Sequence, residues 1–250
     1  MWRLLLTICF MLLVVSSAVG QDVTTERDYF AEALVDNAAP YVGQQMTYRF
    51  RFYDAIDVTN PQYEAPDFEG FWRIDKESIS RVPQQLNNRQ YIVTELDTAL
   101  YPTRPGIINI SPGKVLLPET VFRAEEAVSA NTVGVAVKPL PDGAPQGFTG
   151  AVGQFELSAT LDRQSAPLGV PFTLRLVVTG TGNVEQLTLP DLPAPSDWRT
   201  YANPTTFTTR ETDGLIIGEK VYEYLLIPGQ VGSQVLPGIT FHYFDPINAL

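Results

Sequence analysis

The chain has 250 residues, 44% of them hydrophobic, which is enough to bury the cores of two domains of ordinary size. Its 20 Pro and 18 Gly residues lie between short apolar runs, a distribution that predicts an all-β protein. The formal net charge of −11 disfavours nucleic acid and anionic membrane surfaces as partners, because an acidic surface repels phosphates. The same acidity also has a simpler reading, as an aid to solubility.

Residues 1–20 have the pattern of a secretory signal peptide. Arg3 supplies a positive start, Leu4 to Val15 is mostly apolar, and small residues precede a cut after Gly20. An uncleaved membrane anchor is the alternative, but the apolar run is short for a spanning helix. Cys9 is the only cysteine and lies in this signal, so the exported chain has no disulfide. We expect a protein at the periplasmic or extracytoplasmic face of a bacterial cell membrane.

The first predicted domain, residues 21–138, reads as a series of strands. The clearest of them alternates apolar side chains with polar ones, which is the period of a strand with one buried face. Its apolar residues are Met46, Tyr48, Phe50 and Phe52, and its polar residues are Thr47, Arg49 and Arg51. Further predicted strands span Gln90 to Leu100 and Ile107 to Ile110, and the alternation of Val133, Val135 and Val137 predicts a closing strand.

A Pro/Gly-rich connector, residues 139–153, leads to a second predicted domain, residues 154–250, which repeats the first at an offset of 126. The inward residues of the clearest strand become Phe172, Leu174, Leu176 and Val178. Other matching pairs are Asp36 with Asp162, Gly43 with Gly169, Arg49 with Arg175, Trp72 with Trp198, and Gly106 with Gly232. Two unrelated sandwiches could share scattered identities, but agreement in phase favours a duplication.

Short strands between turn signals, with one Trp within each unit, predict two tandem immunoglobulin-like β-sandwiches with the Trp in the core. The offset would place the counterpart of Val133 at position 259, beyond Leu250, so we expect the second domain to lack its last strand. Either the sequence is a fragment of a longer protein, which we favour, or a partner supplies the strand at the open edge.

No catalytic constellation is evident. His242 is the only histidine, and with no cysteine after the signal a hydrolytic triad or a zinc site lacks its residues. We therefore predict a protein that is not an enzyme and that has no metal and no cofactor. Phe68, Glu69 and Phe71 form a possible interaction patch, because aromatic residues beside an acid can line a glycan site. A glycan-binding or adhesion module is accordingly the alternative function.

Several stretches carry a resemblance to a known family. They are VGVAVKPLP from Val133, GFTGAVG from Gly147, FEGFW from Phe68, LYPTRPG from Leu100, EYLLIP from Glu223 and YFDP from Tyr243. In these the chain resembles BatD, the oxygen-tolerance (Bacteroides aerotolerance) family, from about Val42 to Pro246.

The resemblance implies tandem immunoglobulin-like domains outside the cytoplasm, with a membrane-spanning helix after them in most members. It also implies partners among envelope proteins, in particular von Willebrand factor A-domain membrane proteins and a MoxR-type ATPase. It supplies no catalytic residues. We therefore expect a non-catalytic interaction module in an oxygen-tolerance or envelope-stress complex, anchored to the membrane by a segment that this sequence does not include.

Overall fold

The computed structural model of the protein describes residues 27–121, 123–189, 192–212 and 215–249. The predicted signal peptide and Cys9 lie outside these residues. Every regular element within them is a β-strand except one short 3-10 helix, and all the strand pairs are antiparallel. The predicted all-β class is confirmed, and the packed antiparallel sheets agree with an immunoglobulin-like sandwich.

The first half of the chain contains nine strands within the described residues. In chain order they are β1 (Tyr29–Val35), β2 (Met46–Asp54), β3 (Gln62–Glu64), β4 (Phe71–Leu86), β5 (Arg89–Pro102), β6 (Gly106–Ile110), β7 (Lys114–Leu117), β8 (Glu126–Ser129) and β9 (Val133–Val137). They form one sheet in the order β1-β2-β5-β4, a second in the order β3-β7-β8, and a two-stranded pair of β6 and β9.

The core of the first half lies between the four-stranded sheet and the two smaller sheets. Strand β2 contributes Tyr48 and Phe50, both 0% exposed, as the alternation in the sequence predicts. The smaller sheets contribute Leu117 from β7, together with Ile110 and Val135 from β6 and β9. Burial of apolar surface from two facing layers is the main stabilising contribution in such a sandwich.

The second half contains five strands among the residues that the structure describes. They are β10 (Gly153–Leu161), β11 (Phe172–Gly182), β12 (Arg199–Ala202), β13 (Thr206–Thr212) and β14 (Leu215–Ile227), and the 3-10 helix (Val184–Gln186) follows β11. Strands β10, β11, β14 and β12 are neighbours in that order, and β13 also pairs with β14. All five belong to one sheet.

This sheet repeats the register of the first half. The repeated pairs are Ala33 with Phe50 and Ala159 with Leu176, and Met46 with Leu100 and Phe172 with Leu226. Each residue of the second half lies 126 positions after its counterpart in the first half. The correspondence extends to side chains: Asp36 Oδ1 accepts a hydrogen bond from Thr47 N at 2.8 Å, and Asp162 Oδ1 accepts one from Thr173 N at 2.8 Å. Shared register together with a shared hydrogen bond supports the predicted duplication.

The two halves differ in the layer that faces the large sheet. In the first half this layer consists of the two smaller sheets. Among the described residues of the second half, no strand corresponds to β3, β6 or β7. Residues 229–243 form coil instead, from which Leu236, Ile239 and Phe241 pack on the second core.

The prediction that each Trp lies in a core is wrong for Trp72. Phe71 packs against the first core, and neighbouring residues of a strand point to opposite faces of the sheet. Trp72 therefore lies on the face of the sheet that is turned away from the first core. There its ring lies 4.9 Å from that of Tyr101, centroid to centroid. Trp198 does pack against the second core.

Candidate functional site

The structure separates the three residues of the predicted interaction patch. Phe68 is 7% exposed and belongs to the core, where its ring packs edge-on against Tyr48 with centroids 5.2 Å apart. Phe71 is partly buried against the same core, and Glu69 is exposed. The patch as an interaction surface stays a prediction, and Glu69 is the only one of the three with an exposed side chain.

His242 is half-buried and lies in coil. Among the residues that the structure describes, no group of three or more His, Cys, Asp and Glu side chains could hold a metal ion. None of the helical structure in that same part of the chain is long and apolar enough to cross a membrane.

A junction between the two halves is the first site that sequence analysis missed. The Tyr101 hydroxyl lies 3.2 Å from two acceptors, the carbonyl oxygen of Gly182 and Oε1 of Gln45. Gln45 Oε1 also accepts a hydrogen bond from the backbone N of Ile216 at 3.1 Å. Tyr101 is 1% exposed, and its burial, followed by the negative charge of Glu185, raises the pKa of its hydroxyl well above the ordinary value.

Apolar and backbone contacts complete this junction. Ile216 packs with Ala99 and Tyr101 in a small buried cluster against which Trp72 also lies. On the other side, the rings of Tyr41 and Phe244 meet edge-on with centroids 4.9 Å apart. Residues from both halves therefore share buried surface and hydrogen bonds, which restricts the relative motion of the halves.

A cavity in the second half is the other site that the sequence did not reveal. It has a volume of about 300 Å³ and lies between two coil segments, residues 164–168 and residues 230–236. Phe172, Trp198 and Leu226 form part of its wall. Leu226 is 0% exposed, whereas Leu168 at the rim is 60% exposed, so the cavity leads from the second core to solvent. Only the comparison of repeat positions in the sequence could have pointed to it.

Two solved structures are distantly similar to the chain. One is a marsupial T cell receptor, with a TM-score of 0.25 and 8% identity over 79% of this chain. Another is FdeC, an Escherichia coli adhesin, with a TM-score of 0.18 and 16% identity over 80% of this chain. The chain spans 56% and 59% of the lengths of these two proteins, respectively. A search of curated proteins finds no match to the chain.

The family comparison is specific to the second half. The family described as BatD DUF11 like domain matches residues 159–249, which include the sheet of β10 to β14 and the cavity. This is the family that the residue patterns resemble, and the match confirms that resemblance for residues 159–249. The second half of the chain is thus similar to the BatD DUF11 like domain.

Proposed function

We propose that this protein is a non-catalytic, exported module that acts through protein–protein contacts in a cell-envelope complex concerned with oxygen tolerance or envelope stress. The match of residues 159–249 to the BatD DUF11 like domain carries this proposal. Membrane proteins with a von Willebrand factor A domain are the partners that the family resemblance suggests.

The shape of the protein supports a binding role. The junction around Tyr101 holds the halves together without any disulfide, since Cys9 is the only cysteine in the sequence. A rigid pair of β-sheet units presents its surfaces in a fixed relation, which lowers the entropic cost of binding a partner. The alternative of a glycan-binding module has less support, because the burial of Phe68 removes one of its two aromatic contacts.

Affinity purification of the tagged protein from membranes, after mild cross-linking, tests the proposal. We expect recovery of an A-domain membrane protein, at a yield well above that obtained with a tagged exported β-sandwich of unrelated sequence. A second bait, Glu69→Ala, tests the predicted patch, because it removes the exposed side chain of that patch and leaves the core unchanged. Absence of any A-domain protein from the recovered material contradicts the proposed complex.

A further inference from the structure

The outer part of strand β4 is a free edge of the first sheet. Among the strands that the structure describes, β4 pairs only with β5, so its other backbone edge joins none of them. Every residue from Ser78 to Leu86 is exposed. These residues include Ile79, which is 66% exposed, and Val82, which is 50% exposed. An edge strand with exposed apolar side chains is a template for the addition of another strand.

The turn at the end of the β4–β5 hairpin determines which backbone groups this edge offers. Residues 87–88 form a two-residue turn in which φ is positive at both positions, at 49° and 65°. The residues on either side of such a turn are a hydrogen-bonded pair, and bonded and non-bonded pairs alternate along an antiparallel ladder. Counted back from Leu86, the N–H and C=O groups of odd-numbered residues therefore point away from β5. Ile79 and Arg81 offer both groups at the free edge, and Pro83 offers its carbonyl oxygen only.

The sequence of this edge is complementary to itself in one antiparallel register. When Ile79 lies opposite Ile79 of a second copy, Glu77 of each copy lies opposite Arg81 of the other. Ser78 of each copy then lies opposite Ser80 of the other. Apolar pairs, pairs of opposite charge and hydroxyl pairs across two strands all stabilise a sheet. A register centred on Arg81 would instead place two like charges opposite each other, which destabilises a sheet.

Neither Arg81 nor Pro83 prevents this pairing. Nη2 of Arg81 lies 3.3 Å from Oδ1 of Asp57, but these side chains are 58% and 89% exposed, so this ion pair contributes little and can be exchanged for another. Pro83 has no N–H group, and it lies outside residues 77–81, so it interrupts none of the bonds between the two copies. It also limits the length of edge that can pair, which favours the register centred on Ile79.

We propose that this edge is a dimerisation surface, at which a second copy of the chain pairs antiparallel along residues 77–81 with Ile79 on the two-fold axis. The pairing joins the four-stranded sheets of the two copies into one continuous sheet. Such an interface is isologous, because the same residues of both copies form it. The self-complementary charges identify a second copy as the occupant of the edge. This inference goes beyond the proposed envelope complex and does not depend on it.

Disulfide formation tests the register. In a hydrogen-bonded antiparallel pair the Cα atoms lie about 5.5 Å apart, a distance that a disulfide spans. The chain from Gln21 onward contains no cysteine, so Ile79→Cys introduces a single thiol into it. We expect this variant to form a covalent dimer under mild oxidation. Val82→Cys is the control, because its two copies would lie roughly 20 Å apart in this register. Equal yields of covalent dimer from the two variants contradict the pairing.

Charge reversal tests the residues that pair. Arg81→Glu places acidic residues opposite each other at two symmetric positions, so we expect the dissociation constant of the dimer to rise about tenfold in sedimentation equilibrium. The double variant Glu77→Arg/Arg81→Glu makes the opposing charges complementary again and should restore association. Arg199→Glu is the control, because it makes the same change of charge at an exposed position of β12 in the other sheet. It should leave the dissociation constant unchanged.

Two results overturn the inference. One is a wild-type chain that stays monomeric up to its highest soluble concentration. The other is a double variant that associates no better than Arg81→Glu, since this shows that the two residues do not face each other. Neither result bears on the envelope complex, because recovery of an A-domain protein from membranes tests that proposal separately.

Discussion

The hydroxyl of Tyr101 in strand β5 lies 3.2 Å from the backbone carbonyl oxygen of Gly182 at the end of β11, and so joins the first half of the chain to the second. The contact is buried, since Tyr101 is 1% exposed. The local dielectric constant is low in such buried surroundings, which strengthens a hydrogen bond. Loss of the bond therefore destabilises the folded protein. Four predictions follow from this contact and from others in the two halves.

Replacement of Tyr101 by Phe should loosen the junction. It removes the donor to Gly182 and Gln45 while keeping the ring that packs on Trp72. We expect the free energy of unfolding in urea to fall by about 1 to 2 kcal/mol. Small-angle scattering should also show a wider distribution of overall dimensions. Tyr201→Phe is the matched control, because Tyr201 is 52% exposed; equal unfolding midpoints for the two variants would contradict the role of Tyr101.

Replacement of Gly182 by Ala should disturb the same junction from the other side. Gly182 has φ of +134°, and an added Cβ would lie 2.3 Å from the carbonyl oxygen of Val152. Backbone must therefore move, and we expect a loss of about 2 to 4 kcal/mol in the free energy of unfolding. Gly238→Ala is the control, since its added Cβ meets no atom within 4 Å. A Gly182→Ala protein as stable as this control would contradict the geometry of the junction.

Stability should fall at alkaline pH because of buried tyrosines. Burial raises the pKa of Tyr48, Tyr53 and Tyr222 to about 12, from an ordinary value of 10.0. Above pH 10 the unfolded chain loses these protons while the folded protein keeps them, so the unfolding free energy decreases as the pH rises from 10 to about 12. It is unaffected by these groups below pH 10.

Tyr48→Phe isolates one of these contributions. The variant lacks the titrating hydroxyl, so its decrease in unfolding free energy over this pH range should be smaller by roughly 2 to 3 kcal/mol. Urea titrations at several pH values measure it, with Tyr201→Phe as the exposed control. Parallel pH profiles for the wild-type chain and Tyr48→Phe would exclude the proposed effect of burial.

The ion pair of Arg49 with Asp97 should have a larger coupling energy than the equivalent ion pair in the second half. Arg49 donates two hydrogen bonds to Asp97, at 2.7 and 2.6 Å, and these bonds raise the pKa of its guanidinium. A double-mutant cycle with Ala should give a coupling energy of about 1 kcal/mol. In the equivalent pair, Arg175 Nε lies 3.8 Å from Glu223 Oε1, and both side chains are more exposed. We therefore expect a coupling energy of about 0 to 0.3 kcal/mol for this pair. Equal coupling energies would contradict this ranking.

The sequence predicted the strands whose two faces differ in polarity. Strand β2 begins at Met46 as the alternation predicted, and its inward residues are buried. The continuous strand from Arg89 to Pro102 and the short strand from Val133 to Val137 were also predicted closely. In β2 and β9 one buried face gives the chain a period of two, and this period is a local property that a single sequence records.

Trp72 and Trp198 show that two residues 126 positions apart do not always occupy equivalent places in the fold. At the edge of the sheet, Trp72 pairs with Tyr101 and Arg73 with Leu100, whereas in the second half Arg199 pairs with Ile227. The two edge strands therefore differ in register by one residue, which turns the Trp to the opposite face. Trp72 accordingly lies at the junction and Trp198 on the core. The sequence around the two residues gives no sign of this shift.

The junction was beyond prediction for a different reason. Gln45, Tyr101, Gly182 and Ile216 are distant in the chain, and their contacts depend on how two complete sheets pack. A single sequence reports burial along one strand but does not report which strands from different units meet.

The shared register of the two sheets has a consequence for folding. Because β1 and β10 meet their partners in the same alignment, the hairpin of one half can in principle pair within the other half. Side-chain volume opposes this exchange, because Leu174 and Leu176 would replace Tyr48 and Phe50 and leave voids in the first core. Reduction of a buried aromatic residue to Ala costs roughly 3 to 5 kcal/mol, which is an upper limit for each of these smaller changes. Synthesis from the N-terminus opposes it further, since the first half can complete its own sandwich before the second hairpin exists. Sequence divergence between the repeats thus protects the chain from misassembly of its own halves.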